Sequence, residues 1–373
     1  MMQIPITSDP IEIRRIGEQI FNENRDRYDE RWMSGIRETL AEHMKNATKE
    51  EMEDVFYRSI YNYWMYGNNT SEEFYFDFAN KTHEQKSEYM THRMRYIYMD
   101  HLNPKESRHF LANKWEAYQL MKDFYRRDAV QVKDEKDFED FCKFVSKHSE
   151  FVVKPIGLGK GKGVHKMSAE GETPEVLFDK LLKEVKENSQ KTTLWGATAL
   201  ILEEIIEQDP EIAVLHPDSV NSIRLVTVKV GDKVHIWYPR IDIGRGGSFL
   251  INAAMGGIMA LVDPETGIIK GKGIPEEGDS FEYHPDTGVK IEGFQIPKWN
   301  ELIEMANHLM KNVVPDLCYV GWDMALSKDG WCIVEGNWAG EFVGDQLGVG
   351  HGLRREFEEL IGWKPEQTYW WEE

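Results

Sequence analysis

Residues 154–163 read Lys-Pro-Ile-Gly-Leu-Gly-Lys-Gly-Lys-Gly, with glycine at every second position from Gly157 to Gly163. That spacing removes helix propensity and leaves a strand interior without side chains to pack, so the run is a loop. The apolar stretch Glu150–Pro155 before it reads as a short buried strand closed by proline, and Val164–Met167 reads as the returning strand. A loop of this kind brings backbone N–H groups close to phosphate oxygens while its lysines neutralise charge. It matches neither G-x-x-x-x-G-K-[ST] nor G-x-G-x-x-G, and alone it is equally well explained as a hairpin with solvated lysines.

The surrounding chain narrows the classes of function. At 373 residues it allows two or three domains at roughly 150 residues each. Hydrophobic residues at 41% and charged residues at 29% suit a soluble enzyme that folds by itself. The net charge of −20 repels phosphate backbones and anionic lipid, which sets nucleic acid aside as a partner and requires any basic site to be local. Cys142, Cys318 and Cys332 show no C-x-x-C spacing, so buried free thiols in a reducing compartment are expected rather than disulfides or structural zinc. No apolar stretch approaches the ~20 residues of a membrane span and no apolar leader core is present, so the reading is cytoplasmic, without membrane insertion. The triplets starting at Asn46, Asn68 and Asn80 carry no weight as glycosylation signals in that setting.

The overall class is α+β. From Pro10 to Asn103, apolar residues at helical spacing (Met52, Val55, Phe56, Ile60, Tyr63, Trp64) predict packed helices, broken at Asn68–Ser71. The many aromatics there read as core, not as a stacking platform. Further helices are expected at Ser107–Arg127, Asp134–Lys147, Thr173–Asn188 and Trp299–Val313, and a strand at Ala197–Glu204. From Ser219 strands dominate: Ile223–Val230 and Lys233–Ile241 joined by a Gly231-Asp232 turn, then Val320–Leu326 and Trp331–Glu335. Turn clusters at Asp263–Gly267 and His284–Gly288 bracket a loop region.

Two constellations add chemistry to the glycine loop. Asp323 and Glu335 lie on two strands joined by a tight turn, with Asn337 two residues beyond Glu335 on the same face. Two carboxylates and an amide oxygen are hard ligands suited to a Mg²⁺ that also contacts phosphates, although alternating polar positions on an exposed sheet face account for the same pattern. The strand ending in Glu203-Glu204-Ile205-Ile206 offers an apolar slot with acceptors and backbone donors, the needs of an adenine ring.

In this order the motifs resemble the ATP-grasp enzymes, most closely the sugar-transfer-associated branch. The runs Asp218–Arg224, Ala254–Gly257, Asp263–Gly267, Gly321-Trp322-Asp323 and Glu335-Gly336-Asn337 carry the likeness, which covers Asn113 to Gln346. The resemblance implies an ATP-grasp fold of two α+β lobes clasping ATP, divided as a helical N-terminal region (1–110), a small lobe with a glycine-rich lid loop (111–195) and a large lobe with a metal site (196–373). It implies that Lys114 and Lys154 reach ATP phosphates and that Gly157, Gly159, Lys160, Gly161, Lys162 and Gly163 form the lid. Glu203, Glu204, Ile205 and Ile206 would hold adenine and Glu211 the ribose. Asp323, Glu335 and Asn337 would bind magnesium, two ions in all, while Arg224, Lys154 and Asn337 would serve catalysis. Where the branch pattern has Arg-x-Gly this chain has Asp242-Ile243-Gly244, and where it has Asp-Asn this chain has Ile251-Asn252. Those positions point to the non-nucleotide substrate, with Arg240 and Arg245 as stand-ins for the missing arginine or as solvated strand-end charges.

The resemblance further implies an ATP-dependent carboxylate–amine ligase that proceeds through an acyl phosphate, with small-molecule carboxylate and amine partners. The pathway it suggests is the joining of an amino acid to an amino sugar or small peptide in surface-polysaccharide or natural-product synthesis. Lysines, an arginine and metal ligands without a Ser/His/Asp set fit positioning and charge neutralisation. His165 and His216 are read as structural. The alternatives are a small-molecule kinase on the same fold and an inactive nucleotide-binding module, the latter disfavoured by intact Lys154, Asp323, Glu335 and Asn337.

Overall fold

The computed structural model describes residues 4–159, 161–191, 199–247, 257–275 and 278–366. The chain divides into two compact units, one formed by residues 1–101 together with 341–373 and the other by residues 102–340.

The first unit is helical. Asp9 and Asp29 cap the helices Pro10–Glu23 and Glu30–His43, and a Thr48/Glu51 capping box starts Lys49–Tyr66. Ile13, Ile16, Ile20, Ile36, Leu40 and Ile60 form their common core. Helix Pro10–Glu23 crosses Lys49–Tyr66 closely enough that a Cβ on Gly17 would stand 2.0 Å from the Tyr57 carbonyl oxygen. Gly67, in the left-handed region, ends the third helix beside the break expected at Asn68–Ser71, and Asn69 caps the next, Thr70–Tyr75. The returning helices Val343–Val349 and Arg354–Ile361 belong to this unit: Gln346 Oε1 accepts from the Met90 and Leu353 amides at 2.8 and 3.1 Å.

The second unit holds two antiparallel sheets. In chain order the strands are β1 (Ala129–Val132), β2 (Glu150–Pro155), β3 (His165–Ser168), β4 (Leu200–Glu204), β5 (Ser222–Val230), β6 (Lys233–Ile243), β7 (Ile258–Val262), β8 (Ile269–Pro275), β9 (Tyr319–Ser327) and β10 (Gly330–Asn337). The smaller sheet runs β1-β4-β2-β3 and the larger β10-β9-β5-β6-β7-β8. Helices Phe138–Val145 and Pro174–Lys191 cover the smaller sheet through Phe141, Phe144, Phe178 and Leu181 against Phe151, Val153 and Leu202. The larger sheet carries the main core, built on Leu225, Ile241, Trp322, Met324 and Leu302.

The α+β expectation therefore stands, with four differences of detail. The helix expected over Ser107–Arg127 is broken: the helical turns Lys105–Arg108 and His109–Ala112 end at Asn113, whose side chain accepts from the Trp115 amide at 3.0 Å and starts a separate helix, Lys114–Tyr125. Strands β1, β7 and β8 were not anticipated: β1 has only four residues, and Gly271 and Gly273 interrupt the apolar pattern of β8. The Asp263–Gly267 turn proves to join β7 to β8. The three cysteines are free, but only Cys332 is buried; Cys142 and Cys318 are half-buried, contrary to the expectation for all three.

Candidate active site

A single cross-strand row carries the polar chemistry of the larger sheet. Glu335 on β10 opposes Asp323 on β9, Asp323 opposes Arg224 on β5, and Arg224 opposes Arg240 on β6. Residues opposed in antiparallel pairs share a face, so four charged side chains emerge side by side. Irregularities flank this row. The register of β10 shifts between Ile333 and Glu335, and on β6 Tyr238 and Pro239 together oppose Leu225, with Tyr238 at φ 39°. Bulges of this kind re-aim side chains and gather beside functional sites.

Within the row, Arg224 Nε lies 2.8 Å from Asp323 Oδ1. The Nε–H is buried and not directed at that oxygen, so it has no hydrogen-bond acceptor. Asn337 Nδ2 is 3.4 Å from Asp323 Oδ2. Burial pushes the Asp323 carboxyl up to about 6, with Glu335 and Asp242 adding to the rise and Arg224 and Arg240 opposing it. Two neighbouring carboxylates, each with one cation beside it, and the Asn337 amide form a set of hard oxygen donors that fits a divalent cation. Among the described residues no group of three or more His, Cys, Asp or Glu is gathered as a metal site, so such a cation would depend on these two carboxylates and Asn337.

The smaller sheet supplies the lysines. Lys154, at the end of β2, donates from Nζ to Glu203 Oε2 on β4 at 2.7 Å. The same oxygen accepts from Arg127 Nε at 2.8 Å and lies 2.7 Å from its Nη2. Burial alone would raise the Glu203 carboxyl, but Arg127 and Lys154 overcome it and hold the group down at about 2. Burial lowers the Lys154 ammonium, and Arg127 lowers it further against the pull of Glu203. Lys114 reaches both parts of the site: its Nζ lies 3.2 Å from Glu335 Oε1 and donates to the Leu158 carbonyl of the glycine loop at 2.6 Å.

The loop itself needs its glycines at particular places. Gly157 and Gly163 have φ of 87° and 75°, and a Cβ on Gly163 would approach Pro155 Cγ to 2.8 Å. Lys162 is exposed, Gly159 stands in open space and Gly161 accepts from the Val164 amide at 3.1 Å, while Lys160 lies outside the described residues.

Beyond Glu203 the strand end turns into a shallow, open cleft whose lining includes Glu204, Ile205, Ile206, Tyr125 and Cys332. Three of the four residues expected around adenine therefore line it, whereas the Glu203 carboxylate is committed to Arg127 and Lys154. Glu211 is exposed on the short helix Pro210–Ala213 and does not line this cleft. Arg240 Nε lies 3.4 Å from Asp242 Oδ1, and the Arg245 guanidinium sits 5.5 Å from the Phe281 ring centroid. Ile251, Asn252 and the run 254–256 lie outside the described residues. His216 Nδ1 is 2.6 Å from the Ser219 hydroxyl with both residues buried, and His165 Nδ1 is 3.1 Å from the Gly163 carbonyl oxygen; both histidines have local partners.

Sequence reading missed Arg127, whose guanidinium is 3% exposed and also donates to the carbonyls of Tyr125 and Ile333 at 3.1 and 2.6 Å. Its signal in the sequence was only the charge pair Arg126-Arg127 after a helix.

Two antiparallel sheets, one bearing a glycine loop and lysine and the other a carboxylate–arginine row, define an ATP-grasp protein. Residues 93–360 match the sugar-transfer associated ATP-grasp family, and the chain belongs to it. No curated protein matches the chain. Among solved structures it is similar to the ATP-grasp ligase PsnB complexed with a minimal precursor, at TM-score 0.40 and 13% identity over 70% of this chain and 63% of that one. It is also similar to the D-alanine-D-alanine ligase of Helicobacter pylori, at 0.41 and 15% over 69% and 62%. A third is the VanG D-Ala:D-Ser ligase of Enterococcus faecalis, at 0.41 and 14% over 68% and 61%. The chain spans less than two thirds of the length of each of these solved chains. Among the described residues no helix is long and apolar enough to cross a membrane.

Proposed function

We propose that the protein is an ATP- and Mg²⁺-dependent carboxylate–amine ligase working through an acyl phosphate. The observation that carries this reading is the register row Glu335, Asp323 and Arg224, with an unaccepted Arg224 N–H beside a carboxylate pair. Lys154 and Lys114 bind the phosphate chain of ATP under the loop 157–163, and Glu204, Ile205 and Ile206 receive the adenine. Asp323, Glu335 and Asn337 would hold a Mg²⁺, which would supply charge neutralisation to the phosphates. An oxygen of the substrate carboxylate attacks the γ-phosphorus and ADP leaves. Arg224 donates to the transferred phosphoryl group, and its fixed guanidinium favours the charge that develops there. The amine then attacks the acyl carbon, phosphate departs with the C–O bond electrons, and the nitrogen loses its extra proton to give the amide. A carboxylate needs this activation because oxide is a poor leaving group, and no side-chain nucleophile is required. The substrates fit an amino acid joined to an amino sugar or small peptide in surface-polysaccharide or natural-product synthesis.

The test is incubation with Mg·ATP, pooled amino acids and hydroxylamine as surrogate amine, followed by mass spectrometry of ADP and hydroxamate. Hydroxamate formed together with ADP is the expected result and names the carboxylate. ADP with a phosphorylated hydroxyl compound and no hydroxamate would replace the ligase by a kinase.

A further inference from the structure

Arg127, Lys154 and Glu203 form a closed electrostatic group in the interior of the second unit. Two cations converge on one oxygen, Glu203 Oε2, at 2.7 to 2.8 Å, so the group carries one net positive charge. The arginine is fixed independently of that oxygen. Its Nη1 donates to the Tyr125 and Ile333 carbonyls at 3.1 and 2.6 Å, and its Nη2 to the Val334 carbonyl at 3.4 Å. Ile333 and Val334 form the irregularity of β10 that immediately precedes Glu335. The guanidinium also lies 4.8 Å from the Tyr125 ring centroid, at the wall of the cleft.

A buried lysine paired one-to-one with a carboxylate is neutral as a pair and has little to offer an incoming anion. A second, immovable cation on the same oxygen changes that balance, because the carboxylate stays compensated when the lysine turns away. Arg127 suits this part in having a planar fork that satisfies carboxylate and carbonyls together, which an ammonium cannot reproduce. We propose that Arg127 is a positioning residue that occupies Glu203 so that Lys154 is oriented by the carboxylate yet remains available to a nucleotide phosphate, and that its carbonyl bonds tie this pair to the strand bearing Glu335. The inference rests on the nucleotide-site reading above and adds a residue to it.

The experiment is calorimetric titration of the full chain with Mg·ADP, with thermal melts run on every variant. Arg127→Met leaves Glu203 with Lys154 as its sole cation, so affinity is expected to fall at least tenfold. Adding Glu203→Gln to Arg127→Met removes the carboxylate that now sequesters the lysine, and most of the lost affinity is expected to return. A purely structural arginine predicts no such rescue. Arg127→Lys keeps a second cation for Glu203 but gives up the fork to the Tyr125, Ile333 and Val334 carbonyls, so its affinity is expected to fall by less than that of Arg127→Met and to stay within about tenfold of the parent; this variant together with the double variant carries the test if Arg127→Met does not fold. Parent-like affinity in Arg127→Met, absence of rescue in the double variant, or a tenfold loss in Arg127→Lys would each overturn the role of Arg127. If the parent protein itself binds no Mg·ADP, the nucleotide reading fails and this inference falls with it.

Discussion

Lys154 and Glu335 show how a charged side chain serves differently at two depths. Lys154 is buried beside Glu203, while the Glu335 side chain is 34% exposed and pairs with Lys114. Replacing Lys154 by Ala removes a charge-assisted donor to phosphate, a loss of about 1.5–3 kcal/mol or roughly ten- to a hundredfold in affinity. Arg127 still compensates Glu203, so the fold survives. Titration of Lys154→Ala with ATP checks this, and unchanged affinity would remove the lysine from the phosphate site. Glu335→Ala is expected to lower ADP release by about 100-fold or more, with melting almost unchanged because a half-exposed side chain contributes little to packing. Near-normal ATP consumption by that variant would end the metal assignment. The two residues were legible from sequence because each sits in a local pattern, a proline-closed strand and a tight hairpin. Arg127 was not, since a basic residue after a helix is ordinarily solvated and only the tertiary approach of β4 and β10 buries it.

At the level of elements, strands with period-two burial were found in sequence where a turn announced them. The Gly231-Asp232 connection gave β5 and β6 their register, Val230 opposite Lys233. The bulges beside Arg224 and Glu335 were invisible, because one extra residue in a strand leaves no compositional mark until its partner strand is known. The helix crossing at Gly17 is the same kind of case: a lone glycine in a helical pattern reads as a weak point, yet it is the residue that permits contact with the Tyr57 carbonyl. Gly17→Ala would gain helix propensity in isolation. Here the methyl group meets backbone at 2.0 Å, and separating the helices is expected to cost about 1–3 kcal/mol. A lower melting temperature for the first unit, followed by circular dichroism, is the expected outcome; stabilisation would mean that the crossing is looser than its geometry.

The two units differ in how they handle buried charge, and the difference gives the whole molecule a pH response. In the first unit Glu72 is buried, accepting from the Asn69 and His92 amides at 2.9 and 3.0 Å. Burial nevertheless pushes its carboxyl up to about 7, against those amides and Arg95, with Glu341 adding to the rise. A native state that holds the proton more tightly than the unfolded chain binds more protons between about 4.5 and 7, so unfolding free energy falls as pH rises through that window. The contribution is complete below about 4.5 and lost above 7, a difference of about 3 kcal/mol. The net charge of −20 acts in the same direction, since protonation relieves self-repulsion throughout the chain. The two causes separate in Glu72→Gln, which keeps an oxygen for both amides and removes only the titration. Parent and variant are therefore expected to diverge in denaturant midpoint between pH 5 and 8, the parent losing more stability at the alkaline end while both share the slope due to overall charge. Parallel pH profiles would assign the whole response to net charge and leave Glu72 ionised inside the fold.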